Sequence, residues 1–473
     1  MDLKPSPYRI DIPTDDGSEM ICYSTLTTSV VVLSPEEYRE VFEGLRYDNK
    51  EVCSELLEMG LLYDKEHPQH EILKTLRGQV RDANVGITGV TIAPTMTCNA
   101  RCYYCFEHGA RWGTMSEATA IAVADFLLAN RGGDTLHIAW FGGEPLMAPH
   151  IIDIITGRLK EAGVKVESTL TSNGLLLTEE IRNRLSSWGC YRVQITLDGI
   201  GEKYNEIKSY VGVFRDPFET VMENIKALFA SGGVSVHIRI NYKSTDRQSI
   251  EETFTYIQNR FGSEEELYLY GAPLDLPEVK SYSEFDKDEG CLFLDVLHLS
   301  LDNGYENDEL NFRDGVNVSG DYNAVLGELM LSPFPAPCYM TNKWRYVIDD
   351  QGKLYKCQKH LGREGFSCGD VFSGIVENDY YEHYVTDELH DPKCQECFML
   401  PICQGGCNAN RLLYGDKFAC PPSKSIAPEL VRIYYRYLIG EERGIEKTMS
   451  KFGKGVSDEG SQQGHQEAGR KGD

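Results

Sequence analysis

Three cysteines lie close together near the end of the first hundred residues, at Cys98, Cys102 and Cys105. Their C-x3-C-x2-C spacing lets one loop bring three thiolates to three irons of a [4Fe–4S] cube, which leaves the fourth iron without a protein ligand. An open coordination position distinguishes a metal site that does chemistry from one that only holds shape, as it does for zinc. The spacing therefore predicts a reactive iron–sulfur site.

A second set of cysteines lies in the last third of the chain, within C-x2-C-x5-C-x3-C and at three outlying positions: Cys338, Cys357, Cys394, Cys397, Cys403, Cys407 and Cys420. A pair of structural zinc knuckles is usually separated by roughly 12 to 20 residues, whereas five separate Cys397 from Cys403. Seven thiols also do not divide into complete four-ligand sites. Disulfides are rare in a reducing cytosol, so the set favours metal or cluster ligation.

Length and composition narrow the class of protein further. The 473 residues are too many for one core and predict two to four domains. A formal net charge of −26 disfavours a nucleic-acid partner, because phosphate contacts need clustered Lys and Arg. No apolar run approaches the roughly 20 residues that span a bilayer, and the first residues lack a signal-peptide pattern. We therefore expect a cytoplasmic protein with no nucleic-acid or membrane partner.

From residue 90 to about 303 the pattern alternates between strand and helix. Apolar and β-branched runs predict six strands: Val90–Ala93, Leu136–Trp140, Val166–Thr171, Arg192–Leu197, Val234–Asn241 and Leu267–Tyr270. Amphipathic stretches predict helices between and after them, near 116–130, 149–162, 179–188, 217–230, 247–261 and 282–302. The predicted fold class is α/β, a parallel sheet curved into a partial (β/α)6 barrel.

Polar residues follow consecutive strands of this predicted sheet. They are Gly142, Gly143 and Glu144 after the second strand, Asn173 after the third, Thr196 and Asp198 at the fourth, and Arg239 with Asn241 in the fifth. Sites of parallel α/β folds lie at the carboxyl ends of strands. Each group alone is often just a turn. Their occurrence in order after consecutive strands predicts one site.

The first 86 residues form a separate unit. We expect strands over Tyr8–Ile12 and Met20–Leu33, a helix from the capping box at Ser34 to about Leu45, a second helix near Asn49–Met59, a short strand and a longer helix. This order suggests a small winged-helix-like module. The alternative is an extension that covers the next domain.

Residues 90 to about 300 resemble a radical S-adenosylmethionine (SAM) domain. The resemblance implies that Cys98, Cys102 and Cys105 bind a cluster whose free iron chelates SAM, and that Tyr104 lies against the adenine. It further implies a SAM-amine motif at Gly142, Gly143 and Glu144, polar contacts near the ribose from Asn173, Thr196 and Asp198, and a carboxylate contact from Arg239.

The C-terminal cysteines resemble those of a SPASM domain, an extension of many radical SAM enzymes that act on peptides. The resemblance implies two auxiliary [4Fe–4S] clusters, and hence three in all. One is held by Cys394, Cys397, Cys403 and Cys420, and the other by Cys338, Cys357 and Cys407. Cys368 is a possible fourth ligand of the latter; otherwise that iron is open to a substrate thiol. For Cys22, Cys53, Cys190 and Cys291 we expect buried, non-ligating side chains.

The N-terminal run Ile21–Leu26 and the entry Thr91–Met96 resemble maturases of ribosomally made peptides. This resemblance implies that residues 1–86 recognise a leader peptide by strand addition. It implies a maturase that forms a Cys thioether crosslink in a precursor peptide, with a flavodoxin or ferredoxin as electron donor. Carbon–carbon or carbon–oxygen crosslinking and sulfatase maturation stay open, although Gln358 stands where sulfatase maturases carry an Asp base. A non-catalytic iron–sulfur carrier or peptide-binding scaffold would leave Gly142–Glu144 unexplained.

The expected organisation is thus a recognition module at 1–86, a radical SAM partial barrel at 87–303, a linker at 304–337, a cysteine-rich iron–sulfur domain at 338–440 and a disordered tail at 441–473.

Overall fold

The structure is a computed structural model that describes residues 2–82, 85–107, 112–212, 216–242, 247–274, 338–386, 388–415, 419–421 and 424–439. The helix expected near 282–302, Cys291, the linker and the tail lie outside these described residues.

The N-terminal unit has two small antiparallel sheets and three helices. Its strands are β1 (Leu3–Pro5), β2 (Arg9–Pro13), β3 (Met20–Ser24), β4 (Val30–Leu33) and β5 (Leu62–Asp64). Its helices are α1 (Pro35–Tyr38), α2 (Lys50–Glu58) and α3 (Gln69–Asp82), and a π-helical turn over Arg39–Glu43 continues α1. The expected run Met20–Leu33 is wrong as one strand, because Thr28 adopts φ 61° and turns the chain between β3 and β4. The capping box at Ser34 is confirmed: its hydroxyl accepts from Glu37 N, and the Glu37 carboxylate accepts from Ser34 N.

The middle of the chain forms a large parallel sheet flanked by helices. Its strands are β6 (Gly89–Ile92), β7 (Thr135–Trp140), β8 (Lys165–Ser172), β9 (Cys190–Thr196), β10 (Ser235–Tyr242) and β11 (Leu267–Pro273). The helices are α4 (Glu117–Asn130), α5 (Pro149–Glu161), α6 (Glu179–Leu185), α7 (Gly201–Lys208), α8 (Pro217–Ser231) and α9 (Arg247–Phe261). Each strand pairs in parallel with its neighbour in sequence. All six predicted strands are confirmed, while α7 was not predicted.

The C-terminal cysteine region begins with a hairpin that extends this sheet. Strands β12 (Tyr346–Ile348) and β13 (Leu354–Tyr355) pair antiparallel, and β12 pairs in parallel with β6. The sheet therefore has eight strands in the order β11-β10-β9-β8-β7-β6-β12-β13. The remaining elements are β14 (Gly369–Asp370), β15 (Gly374–Ile375), α10 (Asp379–Val385), α11 (Leu400–Cys403), α12 (Asn408–Tyr414) and α13 (Ala427–Ile439).

The N-terminal unit packs against the C-terminal region. Ile21 and Tyr23 of β3 share a buried cluster with Met399 and Ile402 of the cysteine-rich segment and with Leu430 of α13. Within the described ranges, no helix is both long and apolar enough to cross a bilayer.

Candidate active site

The loop after β6 carries the first three cysteines and is held from two sides. Gly143 N donates to Thr95 O at 3.1 Å, and Glu144 N donates to Thr97 O at 3.0 Å. On the other side, Arg101 N donates to the backbone oxygen of Lys208 at 2.7 Å. The loops after β6, β7 and β9 therefore meet at one end of the sheet, as the order of the sequence motifs predicted.

The two glycines after β7 permit this close approach. Gly142 has φ +102°, a backbone conformation that favours glycine. A Cβ on Gly143 would run into the backbone carbonyl of Thr97. The glycines thus let the loop after β7 lie against the cysteine loop.

Glu144 is the buried carboxylate of the site, with 1% of its surface exposed. It accepts hydrogen bonds from Asn173 N at 2.8 Å, Ser172 Oγ at 2.9 Å and Leu146 N at 3.2 Å. Burial raises the pKa of Glu144 to about 6, against the pull of these three donors. The carboxylate is rigidly held and ionised at neutral pH. Sequence analysis missed Ser172, which directly precedes the expected Asn173.

Asn173 joins the β8 loop to the cysteine loop. Its Nδ2 donates to Asn99 Oδ1 at 2.6 Å, next to Cys98. In the described part of the chain, the buried Nδ2 of Asn99 has no hydrogen-bond partner. A buried amide without a partner costs about 1–3 kcal/mol, so this donor is available to a ligand beside Cys98.

Tyr104, Asp198 and Lys208 form a connected group. The Tyr104 hydroxyl donates to Asp198 Oδ2, and Lys208 Nζ lies 2.7 Å from the same oxygen and 3.2 Å from the Tyr104 hydroxyl. Lys208 is a site residue that sequence analysis missed. It lies four residues after buried Tyr204 on α7, a spacing that places both on one helix face.

The fifth-strand residues lie beside this group. Arg239 Nε donates to Asn241 Oδ1 at 2.9 Å, so the two side chains share one face of β10 as period-two alternation predicted. Asn241 N donates to Asp198 Oδ1 at 3.3 Å, and Arg239 is in register with half-buried Thr196. The structure therefore brings together the motif residues of four consecutive strands.

The thiols interact electrostatically in three groups. Cys98 interacts with Cys102 and Cys105. Cys357 interacts with Cys338 and Cys407. The third group is Cys394, Cys397, Cys403 and Cys420.

Cys368 has a different environment. It is fully buried in the main core, its thiol donates to Leu354 O at 3.4 Å, and its charged neighbour is Lys356. Cys22, Cys53 and Cys190 are buried free thiols.

The first group fits a site-open cluster. Its three thiols are free, and burial raises the pKa of Cys98 to about 12 and that of Cys105 to about 11, so a bound metal must displace their protons. Soft thiolates are the donors that iron–sulfur clusters take. Over the described ranges, no three His, Cys, Asp or Glu side chains are placed to hold a metal ion. A [4Fe–4S] cube binds each thiolate through a different iron. Its three thiol ligands therefore do not have to converge on one point, as the ligands of a single ion must.

A cavity of about 220 Å³ lies against the inner face of the sheet. Its wall includes Thr169, Gln194 and Arg239 from the strands and Tyr339 and Gln358 from the C-terminal region. Tyr339 is also a neighbour of Cys338 and Cys357, so this wall of the cavity borders the second thiol group.

Comparison with known proteins identifies the class. Residues 92–257 match the family model of the radical SAM superfamily. The chain therefore contains a radical SAM domain, and this type of domain implies SAM and one [4Fe–4S] cluster.

The relatives that match along most of the chain include maturases. The chain is 24% identical over 374 residues to mycofactocin maturase MftC of Mycobacterium tuberculosis (strain ATCC 25618 / H37Rv), covering 76% of this chain and 87% of that protein. It is 23% identical over 336 residues to a cysteine-type anaerobic sulfatase-maturating enzyme of Clostridium novyi (strain NT), covering 66% and 86%. The structure of native anSMEcpe with bound AdoMet has the same fold, with a TM-score of 0.56, 17% identity, and coverage of 77% of this chain and 99% of that one.

Proposed function

We propose that this radical SAM enzyme modifies a ribosomally made precursor peptide and installs an intramolecular Cys thioether crosslink. Two relatives at 23–24% identity are named as maturases, and both alignments extend well beyond the radical SAM domain. The observation that carries the thioether is the group of Cys338, Cys357 and Cys407, which supplies three thiols and has its neighbour Tyr339 in the cavity wall.

In this proposal Cys98, Cys102 and Cys105 hold the cluster that chelates SAM. When bound, the cluster and SAM supply a 5′-deoxyadenosyl radical able to abstract hydrogen from an unactivated carbon. The chain contributes position and charge. Glu144 accepts from the SAM amine, and Asn99 Nδ2 donates to a ligand beside Cys98.

Two auxiliary [4Fe–4S] clusters complete the proposal. Cys394, Cys397, Cys403 and Cys420 supply four ligands, which closes that cluster. Cys338, Cys357 and Cys407 supply three, because the Cys368 thiol is directed to Leu354 O. A substrate cysteine is then the fourth ligand, and thiolate coordination holds its sulfur near the cavity.

The N-terminal module is the proposed binding site for the leader segment of the precursor. In the described three-stranded sheet, β2 and β4 each pair on one side, with β3 between them. An extended peptide can add to such an edge through backbone hydrogen bonds. An external flavodoxin or ferredoxin supplies the electron.

Sulfatase-type oxidation is the second candidate, favoured by the similarity to the Clostridium novyi enzyme. That chemistry needs a base next to the substrate, and Gln358 in the cavity wall carries an amide that cannot take a proton at neutral pH. Carbon–carbon and carbon–oxygen crosslinks differ from the thioether only in the acceptor atom. A carrier or scaffold role would leave the buried Glu144 site without a purpose.

The test uses the full chain, reduced and reconstituted with iron and sulfide, with SAM and synthetic peptides from short reading frames beside its gene. We expect a product lighter by two hydrogens per crosslink, with one cysteine blocked to iodoacetamide. A formylglycine product, or a crosslink that leaves every cysteine free, would contradict the thioether. Peptides that stay unchanged would contradict maturation.

Two variants make the thioether test specific to the three-thiol group. Cys338→Ala removes one ligand of that group, so we expect crosslinking to stop while SAM cleavage continues. Cys368→Ala removes a buried thiol outside the group and should retain crosslinking. Equal losses in both variants would mean that the region acts only through its packing.

A further inference from the structure

A buried cation lies beside the cysteine loop. Lys208 has 2% of its surface exposed and pairs with Asp198 at 2.7 Å. A buried ammonium without a partner is strongly unfavourable, and the Asp198 carboxylate compensates for the burial of this charge. Although burial lowers the pKa of Lys208, the negative charge of Asp198 raises it well above the usual value. Lys208 is therefore positively charged at neutral pH.

Backbone contacts fix this charge relative to the cluster ligands. The carbonyl of Lys208 accepts from Arg101 N at 2.7 Å, and Val211 N donates to Asn99 O at 2.7 Å. Asn99 and Arg101, which make these two bonds, both lie on the loop between Cys98 and Cys102. The end of α7 and the cysteine loop are thus one rigid unit, in which the lysine cannot move away from the thiols.

The charge lies beside the ligands. Lys208 Nζ is 3.2 Å from the hydroxyl of Tyr104, the residue between Tyr103 and the ligand Cys105, and 5.9 Å from the centroid of the Tyr104 ring. Arg101, a second cation of this loop, is solvent-exposed and packs over the Trp112 ring, so water and salt screen it.

We propose that Lys208 sets the reduction potential of the cluster bound by Cys98, Cys102 and Cys105. One electron from the external donor takes the cluster from [4Fe–4S]2+ to [4Fe–4S]+ and adds one negative charge with no proton. A fixed positive charge in a water-poor site stabilises that added charge. The inference rests on the proposed cluster but needs no peptide substrate.

A purely structural role makes a different prediction. If Lys208 only positioned Tyr104 and Asp198, then removing either member of the ion pair would disturb the loop in the same way. An electrostatic role predicts opposite signs. Lys208→Met removes a positive charge and makes reduction harder, whereas Asp198→Asn removes a negative charge and makes it easier.

The test is a redox titration of the full reconstituted chain by electron paramagnetic resonance. The titrated signal is that of the cluster whose spectrum changes when SAM is added. We expect Lys208→Met to weaken reduction at least tenfold, which is about 59 mV for one electron. Asp198→Asn should shift the potential upward, and the double variant should lie between the single ones. Lys203→Met removes an exposed lysine of the same helix and should leave the potential unchanged.

Lys208→Arg keeps the charge and should retain a potential near that of the wild type. Shifts of the same sign in Lys208→Met and Asp198→Asn would overturn the proposal, as would a Lys208→Met potential equal to that of Lys203→Met. If the Lys208→Met protein binds no iron, the Asp198→Asn variant provides the test. An Asp198→Asn potential that does not rise above that of the wild type would then reject the electrostatic role. Failure of peptide modification leaves all these measurements intact.

Discussion

Glu144→Gln separates the charge of the buried carboxylate from its shape. The side chain accepts from Asn173 N, Ser172 Oγ and Leu146 N. A glutamine amide can keep its oxygen toward Asn173 N and turn its NH2 toward the Ser172 hydroxyl, which is able to accept. Leu146 N then loses its acceptor, at a cost of about 1–3 kcal/mol.

The lost charge works in the opposite direction. Burial raises the pKa of Glu144 to about 6 from its ordinary value of 4.5. Because the folded state binds this proton more tightly than the unfolded state, ionisation above pH 6 costs the fold about 2 kcal/mol, a cost relieved as the pH falls from 6 to 4.5. Glutamine carries no such cost. At pH 7.5 the loss of the hydrogen bond from Leu146 N and the removal of the ionisation cost nearly cancel. We therefore expect a Tm for Glu144→Gln within about 4 °C of the wild type.

SAM binding should change far more than stability. A hydrogen bond to a charged group contributes about 1.5–3 kcal/mol, so loss of the carboxylate that meets the SAM amine should weaken binding about 10- to 150-fold. In the wild type, affinity should fall as the pH drops below about 6, and the variant should lack this dependence.

Anaerobic calorimetry with SAM and thermal unfolding measure the two quantities on the same samples. Glu180→Gln is the matched control, because that carboxylate lies exposed on α6 and pairs with Arg184. A Glu144→Gln protein that binds SAM within twofold of the wild type would refute the assigned role. So would a wild-type affinity that is flat between pH 5 and pH 7.

Two further predictions concern the cysteines and their support. Replacing Cys98, Cys102 and Cys105 together by Ala should remove about a third of the iron and sulfide and abolish SAM cleavage, and retention of all the iron would contradict the assignment. Ile21→Ala and Leu56→Ala each remove a side chain that is 1% exposed and should each cost about 2–5 kcal/mol in denaturant unfolding. Only Ile21 faces the cysteine-rich segment, so only its variant should release iron faster to a chelator, and equal release rates would contradict that coupling.

Local pattern predicted the central sheet, because apolar runs and intervening amphipathic stretches encode strands and helices without long-range information. It did not predict that β12 joins β6. Its Tyr346–Ile348 run and the turn at Gly352 indicate a hairpin, but a strand's own residues do not say which outside edge it pairs with. Helix α7 was missed because Gly201–Lys208 is short and mostly polar.

The sequence predicted the site residues that belong to recognisable motifs. It did not predict the residues that only hydrogen-bond to or pair with a motif residue. Glu144 and Asn173 stand in recognisable turns, whereas Ser172 acts only through the Glu144 carboxylate. Lys208 is a lysine in a helix, a residue type that is normally solvated, and its burial depends on Asp198 arriving from another element. Tertiary packing determines such partners, and a local sequence pattern does not predict it.

The N-terminal unit shows the same limit. It contacts the cysteine-rich segment directly, since Tyr8 Oη donates to Gln395 O at 2.8 Å and Thr25 Oγ1 donates to Phe398 O at 2.6 Å. Both acceptors lie on the segment around Cys394 and Cys397.

Apolar packing of β3 against the same segment adds to these hydrogen bonds, which join side chains to backbone oxygens 387 and 373 residues later in the chain. A change that distorts β2 or β3 is therefore expected to displace the cysteine segment as well. Both strands and that segment contribute side chains to one buried cluster. The proposed binding of a leader peptide to this unit and the environment of the third cysteine group are therefore linked through one buried cluster.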